Sequence, residues 1–403
     1  MRGDNKCRGC LSPNLKEILN LGSSPIANTL PTLEVGRAEP FYPLVFSVCM
    51  NCNLGQIGEF ESPESIFSDY PYLSSTSTSW LAHANAYANL MHENFVNISD
   101  GYVLEIASND GYLLKNFKSL GYQVLGVDPA QNIALLANLS GINTIPDFFG
   151  LGSANKILED FGRPALIVAN NVAAHVPDIQ DFFSGISLLL KEKTVLTIEN
   201  PSLGRLFEQG YYDTIYHEHF SYLSVDSILA ISNIYGLELF RVEELPTHGG
   251  SLRYFICEKG CRDVEDSVAR YREIETRRGV GNLQMMEVFK DKVEKTLGEL
   301  KDWVEDQRDD SIVGYGAAAK TVTAFYAAGL NPLKFNRIVD LNPLKHNRRL
   351  PGSDLPITSV SSLKGDFRKI LVFPWNMEKE IVSTIRTENL DSEIWFPNPM
   401  RSV

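Results

Sequence analysis

Short apolar runs alternate with helix-length stretches through the middle of the chain. Residues 102–106, 124–127, 166–169 and 195–198 are almost continuous in Val, Leu and Ile, as strands covered on both faces are. Separated by helical segments, they predict a doubly wound, largely parallel α/β sheet, and 254–257 adds a last strand behind a glycine turn. Ahead of them Trp80, Tyr87, Leu90 and Met91 recur at helical spacing behind a lead of Ser and Thr suited to capping. Beyond them, 264–278 is charged and helical, and Phe289, Val293, Leu297, Leu300 and Val304 mark another helix. The alternation then returns in shorter form, with strands at 311–313, 338–340 and 370–373. The expected class is α/β, with an N-terminal unit over 1–75, a central Rossmann-like unit over 76–258, and a helical connection and second Rossmann-like unit over 259–403.

Composition narrows the partners. The 403 residues are too many for one compact core, and 44% hydrophobic with 22% charged is ordinary for a globular chain. A net charge of −13 argues against nucleic acid or anionic membrane and toward a small molecule. The polar start MRGDNKCRGC is no secretory signal, and no apolar run reaches the roughly 18 residues a membrane span needs, so a cytoplasmic protein is expected.

Reducing conditions shift clustered cysteines toward metal. Cys7 and Cys10, then Cys49 and Cys52, form two CxxC pairs, and two such knuckles complete the tetrahedron of structural zinc. Four thiolates leave no open position, so this metal holds structure; a redox pair or free thiols are the alternative reading. Tyr70 to Ser77, including Tyr72, is dense in hydroxyls and suits either helix capping or a polar ligand.

Ligands on doubly wound sheets sit beyond the carboxyl ends of the strands. The first run closes as EIASNDGYLL, with small residues that let backbone approach a ligand, and the second closes on Asp128, suited to the two hydroxyls of a ribose. Neither GxGxxG nor a P-loop lysine is present there, which leaves a nucleoside without a pyrophosphate grip, or a simple helix cap.

EIASNDGYLL, GVDPA, NNVAAHVPD, IENP, IYHEHFSY and THGGSLRYF, behind paired CxxC motifs, resemble in order the sugar C-methyltransferases of deoxysugar pathways. That resemblance implies an S-adenosylmethionine (SAM) enzyme that methylates C3 of a nucleotide-linked 4-keto-hexose. It assigns Glu105, Ala107 and Asn109 to the methionine side of SAM, Asp128 to the ribose, Asp147 and Phe148 with Phe149 to the adenine, and Asn171 to the vicinity of the methyl. It makes His219 the base and implies that the C-terminal domain helps to hold the nucleotide diphosphate.

Methylating carbon requires a carbanion equivalent, and a proton next to a ketone is the accessible one. A histidine is largely neutral at pH 7 and suits the base. If 216–219 is extended, adjacent side chains point apart, so Glu218 need not touch His219 and binds a hydroxyl or orients a neighbour. Tyr216 or Tyr72 could donate to the enolate oxygen, His175 could face the substrate, and His217 reads as structural. A histidine-bound catalytic metal, buried structural histidines, and Glu218 as base are the competing readings. His248 and Arg253 follow as substrate ligands in THGGSLR, against a plain hairpin turn. In the C-terminal unit Tyr315, Lys320, Asp340 and Lys345 surround GYGAAAK, which has the form of a phosphate-binding turn with Lys320 as counter-charge. Other classes are a nicotinamide-dependent nucleotide-sugar reductase or epimerase using that turn, and a silent zinc-containing binding protein.

Overall fold

A computed structural model describes residues 6–34, 39–67, 73–365, 368–389, 391 and 393–403. The four apolar runs form the middle of a seven-stranded sheet. Its order is Leu237–Leu245, Ser251–Glu258, Val195–Pro201, Leu166–Asn170, Val103–Ile106, Val124–Val127, Thr144–Ile145. Only Ser251–Glu258 runs antiparallel to its neighbours. Ser77 caps helix Thr78–Asn94 by accepting from the Trp80 N–H at 3.3 Å, so the hydroxyl-rich lead does at least this capping work.

The last unit repeats the plan with five parallel strands in the order Pro356–Ser359, Phe335–Asp340, Ile312–Tyr315, Lys369–Val372, Ile394–Pro397, edged by antiparallel Arg348–Arg349 and Met400–Ser402. In both sheets a strand-end aspartate ties two loops in the same way. Asp128 accepts from the N–H groups of Asn109 at 2.8 Å and Ala130 at 2.9 Å, and Asp340 from those of Ala317 and Asn342, both at 2.8 Å.

The N-terminal unit is an antiparallel sheet of Leu15–Ser24, Tyr42–Cys49 and Gly55–Gln56, and its fourth strand, Ser221–Tyr222, comes from just after the histidine stretch. The units also share their interiors. Helix Leu283–Glu305 buries Met286, Phe289, Val293, Leu300 and Val304 in one core with Leu19 and Phe46 of the first sheet and Phe325 and Ile338 of the last unit. Arg349 closes the same junction with a two-pronged contact to Glu39, at 2.5 and 2.8 Å. Among the described residues no helix is long and apolar enough to cross a membrane.

Candidate functional site

The four cysteines converge. Their sulfurs all lie within 4.8 Å of one another, with Cys7–Cys52 at 3.5 Å and Cys10–Cys49 at 3.6 Å. Zinc–thiolate bonds of about 2.3 Å give a tetrahedron with edges of about 3.8 Å, so the donor set fits zinc. Cys257 and Cys261 lie elsewhere, one buried and one exposed.

Glu105, Ala107, Asn109, Asp128 and Asn171 all lie at or just past the carboxyl ends of central strands. Ala107, Asn109 and Asn171 hold left-handed φ values of 56°, 49° and 55°, a cost that side-chain-bearing residues carry where a loop has a task. The loop doubles back so closely that a Cβ on Gly126 would stand 2.3 Å from the Ser108 hydroxyl. Glu105 is buried, its Oε2 and the Oδ1 of Asp110 have no partner among the described residues, and burial with the nearby Asp128 and Asp110 pushes its carboxyl well up. A cationic ligand such as the ammonium of a methionine moiety complements such acids. Asn109 also accepts from the Ser74 N–H at 2.9 Å, so the segment before the capped helix reaches this loop. Tyr72 lies outside the described residues. Asp147 caps Phe148 N–H at 2.8 Å, and both are half-buried; Phe149 turns inward against Phe182 with ring centroids 5.6 Å apart.

The histidine stretch is a turn, not an extended segment: the His219 N–H donates to the Tyr216 carbonyl at 2.9 Å. Residues three apart therefore meet, and the expected alternation of faces does not hold. The Tyr216 hydroxyl lies 2.7 Å from His219 Nε2, while His219 Nδ1 lies 3.0 Å from the Thr214 carbonyl. A carbonyl only accepts, so Nδ1 carries the proton and Nε2 presents its lone pair to the phenol. His175 donates from Nδ1 to the Glu218 carbonyl at 2.8 Å and stacks edge-on to His219, ring centroids 4.7 Å apart. Burial pushes His175 down to about 4; burial and then the neighbouring His175 push His219 well below the usual range. Both are neutral imidazoles at pH 7.

Glu218 and His217 point into the protein. Glu218 Oε1 accepts from the Asn28 N–H at 3.0 Å, and burial pushes its carboxyl up to about 7. His217 donates from Nε2 to the Pro43 carbonyl at 3.2 Å, edge-on to Tyr42 and Phe60. Gly55 and Gln56 pair with Tyr222 and Ser221, so the turn is strapped to the four-cysteine unit on both sides.

His219 lines a cavity with Asn200, Tyr211, His248 and Ala174. His248 sits in the hairpin turn Thr247–Gly249 at φ 53°, its ring 5.2 Å from that of Trp80. Burial, then Lys320, push it down to about 4. His248 thus sits in a hairpin turn and also lines the cavity that His219 lines.

Arg253 does not join it. It is 3% exposed, and its guanidinium is spent on Glu199 at 2.5 and 2.6 Å and on Glu243 at 3.2 Å, above the ring of Tyr87. Burial pushes Glu199 up, but His83, 2.9 Å away, and Arg253 outweigh it and hold the carboxyl below its usual range. Arg253→Met would strand a buried charge and is expected to cost about 3–5 kcal/mol in urea unfolding; a change under about 1 kcal/mol would mean that His83 alone carries Glu199.

The phosphate-turn expectation also needs correction. In GYGAAAK the N–H of Gly316 goes to the Val339 carbonyl (2.7 Å), that of Ala317 to Asp340 and that of Ala318 to the Thr321 hydroxyl (3.4 Å). Lys345 closes the knot on Asp340 at 3.2 Å and the Ala317 carbonyl at 2.9 Å, and Tyr315 is buried. Asp340 and Lys345 thus hold the turn together, and Tyr315 is packed in the interior. Lys320 instead holds its ammonium 4.8 Å from the centre of the Trp375 ring, where its charge acts on His219 and His248. Sequence reasoning missed Asp213, Tyr211 and Asn28. Asp213 and Tyr211 stand a few residues before the histidine turn and were within reach of inspection, whereas Asn28 meets Glu218 across 190 positions without a local signal.

Comparison with known proteins finds matches over most of the chain. The family described as "Putative zinc binding domain" matches residues 7–67, "Methyltransferase domain" matches 80–242 and "C-methyltransferase C-terminal domain" matches 246–396. C-methyltransferase NovU of Streptomyces niveus is 31% identical over 388 residues, covering 95% of this chain and 92% of NovU. Among solved structures, a SAM-dependent methyltransferase from Anabaena variabilis is 14% identical with a TM-score of 0.36, over 44% of this chain and 85% of that one. The CcbJ methyltransferase of Streptomyces caelestis is 12% identical with a TM-score of 0.37, over 49% and 99%. Three consecutive domain matches and a relative aligned almost end to end place this chain in the C-methyltransferase family.

Proposed function

We propose that the chain is a SAM-dependent C-methyltransferase that acts on C3, next to the ketone of a nucleotide-linked 4-keto-deoxysugar, with His219 as the base. The observation that carries this reading is the neutral His219, whose Nε2 lone pair is aimed by the Thr214 carbonyl and whose ring lines the cavity. Glu105, Ala107, Asn109, Asp128 and Asn171 would hold SAM, with Asp147 and Phe148 near its adenine; bound there, SAM supplies an electrophilic methyl. His219 Nε2 takes the α-proton, Tyr216 moves aside or donates to the oxygen, and His175 steadies the backbone of the turn through Glu218. His248 faces the sugar from the opposite hairpin. Glu218 is a weaker candidate for the base because one oxygen is held by Asn28 and its side chain is 1% exposed. The N–H groups of Gly316, Ala317 and Ala318, spent within the C-terminal turn, favour no nicotinamide reading.

Incubation with methyl-labelled SAM and a panel of nucleotide-linked 4-keto sugars should label one sugar at the carbon next to the ketone. Absence of label across the panel, with SAM still bound, would remove the sugar assignment.

A further inference from the structure

We propose that Lys320, reaching in from the C-terminal unit, is a catalytic residue that pairs with the enolate oxygen of the substrate rather than with its phosphates. This rests on the deprotonation step argued above. Its foundation is the position of the ammonium. Lys320 is the second residue of helix Ala319–Ala327, and the three loop N–H groups just before that helix, those of Gly316, Ala317 and Ala318, donate to Val339, Asp340 and Thr321, so the loop itself offers no anion cradle. A lysine serving a phosphate would work with such a cradle. This one leans onto Trp375, whose indole N–H donates to Asp213 Oδ2 at 2.6 Å and whose ring stacks on Tyr211 at 4.0 Å.

That contact leads directly to the base. Asp213 and Thr214 share one short turn, Tyr212–Thr214, and the Thr214 carbonyl is what orients His219. Thr323, on the lysine's own helix, donates its hydroxyl to the Ile215 carbonyl at 3.0 Å and pins that helix to the same turn. On the far side Gly249, next to His248, packs so tightly on Trp375 that a Cβ would stand 2.8 Å from the indole. The ammonium is therefore fixed where the base turn, the His248 hairpin and the C-terminal unit meet. Asp213 is 2% exposed, its Oδ1 has no hydrogen-bond partner among the described residues, and it supplies the lysine's counter-charge. The field of Lys320 reaches His219 and His248 and disfavours their protonation, which keeps the base free.

The step balances with these groups. The α C–H bond breaks and its proton passes to His219 Nε2. The freed electron pair forms the C=C bond, and the carbonyl π pair moves onto oxygen opposite the Lys320 ammonium. The enolate carbon then bonds the methyl as the carbonyl reforms, and the pair of the broken C–S bond stays on sulfur. A preorganised cation at a developing oxyanion is worth about 10²–10³-fold in rate.

The test is solvent deuterium exchange at the α-carbon of the labelled sugar, followed by NMR without SAM, in the full-length wild type, Lys320→Met, Lys320→Ala and Lys320→Arg. Lys320→Met should slow exchange about 100-fold or more, while the affinity for the corresponding nucleoside diphosphate without sugar changes less than about 3-fold. Ethylamine should restore exchange to Lys320→Ala, and Lys320→Arg, which keeps the charge, should retain more exchange than Lys320→Met. Exchange at the wild-type rate in Lys320→Met, or a nucleoside diphosphate bound about tenfold more weakly with exchange intact, overturns the lysine's role. A wild type that exchanges no α-proton overturns the deprotonation reading beneath it, and this proposal with it.

Discussion

Removing the metal, by chelation or by Cys7→Ser with Cys52→Ser, is expected to abolish α-proton exchange while SAM affinity falls less than about tenfold. Structural zinc contributes about 10–16 kcal/mol in small zinc domains. Here the sulfur cluster packs in one core with Leu104, Leu223 and Ile231 of the central unit, so only part of that figure is at stake. A loss of about 5 kcal/mol would lower the melting temperature of a chain of this length by about 6 °C. The selective effect follows from the connections. Gly55–Gln56, three residues beyond Cys52, pairs with Ser221–Tyr222; Asn28 holds Glu218 and Pro43 holds His217. The residues proposed to hold SAM instead hang on the parallel core of the central sheet. Metal content, thermal melting, SAM titration and exchange should be read on one sample. Full exchange in demonstrably metal-free protein would show that the turn keeps its shape unaided.

His219→Gln is expected to lower methyl transfer about 10²–10⁴-fold with SAM binding intact. The pH profile separates the two candidate bases. A base works only when deprotonated, so activity is lost as pH falls through its pKa. With His219 pushed well below its usual range, kcat/KM should stay flat from pH 8 to below pH 6. With Glu218, raised to about 7, half the activity would already be gone near pH 7. Glu218→Gln should leave the acid limb of the profile where it is. An acid limb near pH 7 that vanishes in Glu218→Gln would transfer the role to the carboxylate.

The doubly wound class was readable because strands covered on both faces are apolar almost throughout, as in Leu166–Asn170, where all five residues are buried and only the last is polar. Leu237–Leu245 escaped because it is covered on one face only, with Glu238, Arg241 and Glu243 interleaved. The strand ends proposed to hold SAM were equally local, since Glu105 and Asp128 simply close their runs. What depends on distant partners was not legible. The 216–219 stretch reads as extended until one backbone hydrogen bond folds it, and Arg253 reads as a ligand until Glu199 is found beneath it. The GYGAAAK turn has the letters of an anion cradle, but whether its N–H groups are free depends on Val339, Asp340 and Thr321.

Strand Ser221–Tyr222 also bears on how the protein is made. A ribosome releases the N-terminal sheet about 165 residues before the strand that completes it, at roughly 5–20 residues per second. For that interval Gly55–Gln56 is an unpaired edge, open to other chains. The edge is only two residues long and flanked by the cysteine knuckle, which gives a wandering strand little to grip. Closing it requires the central sheet to have been synthesised far enough to deliver residue 221. The histidine turn therefore takes its final shape late in folding, after the units on both sides of it have begun to form.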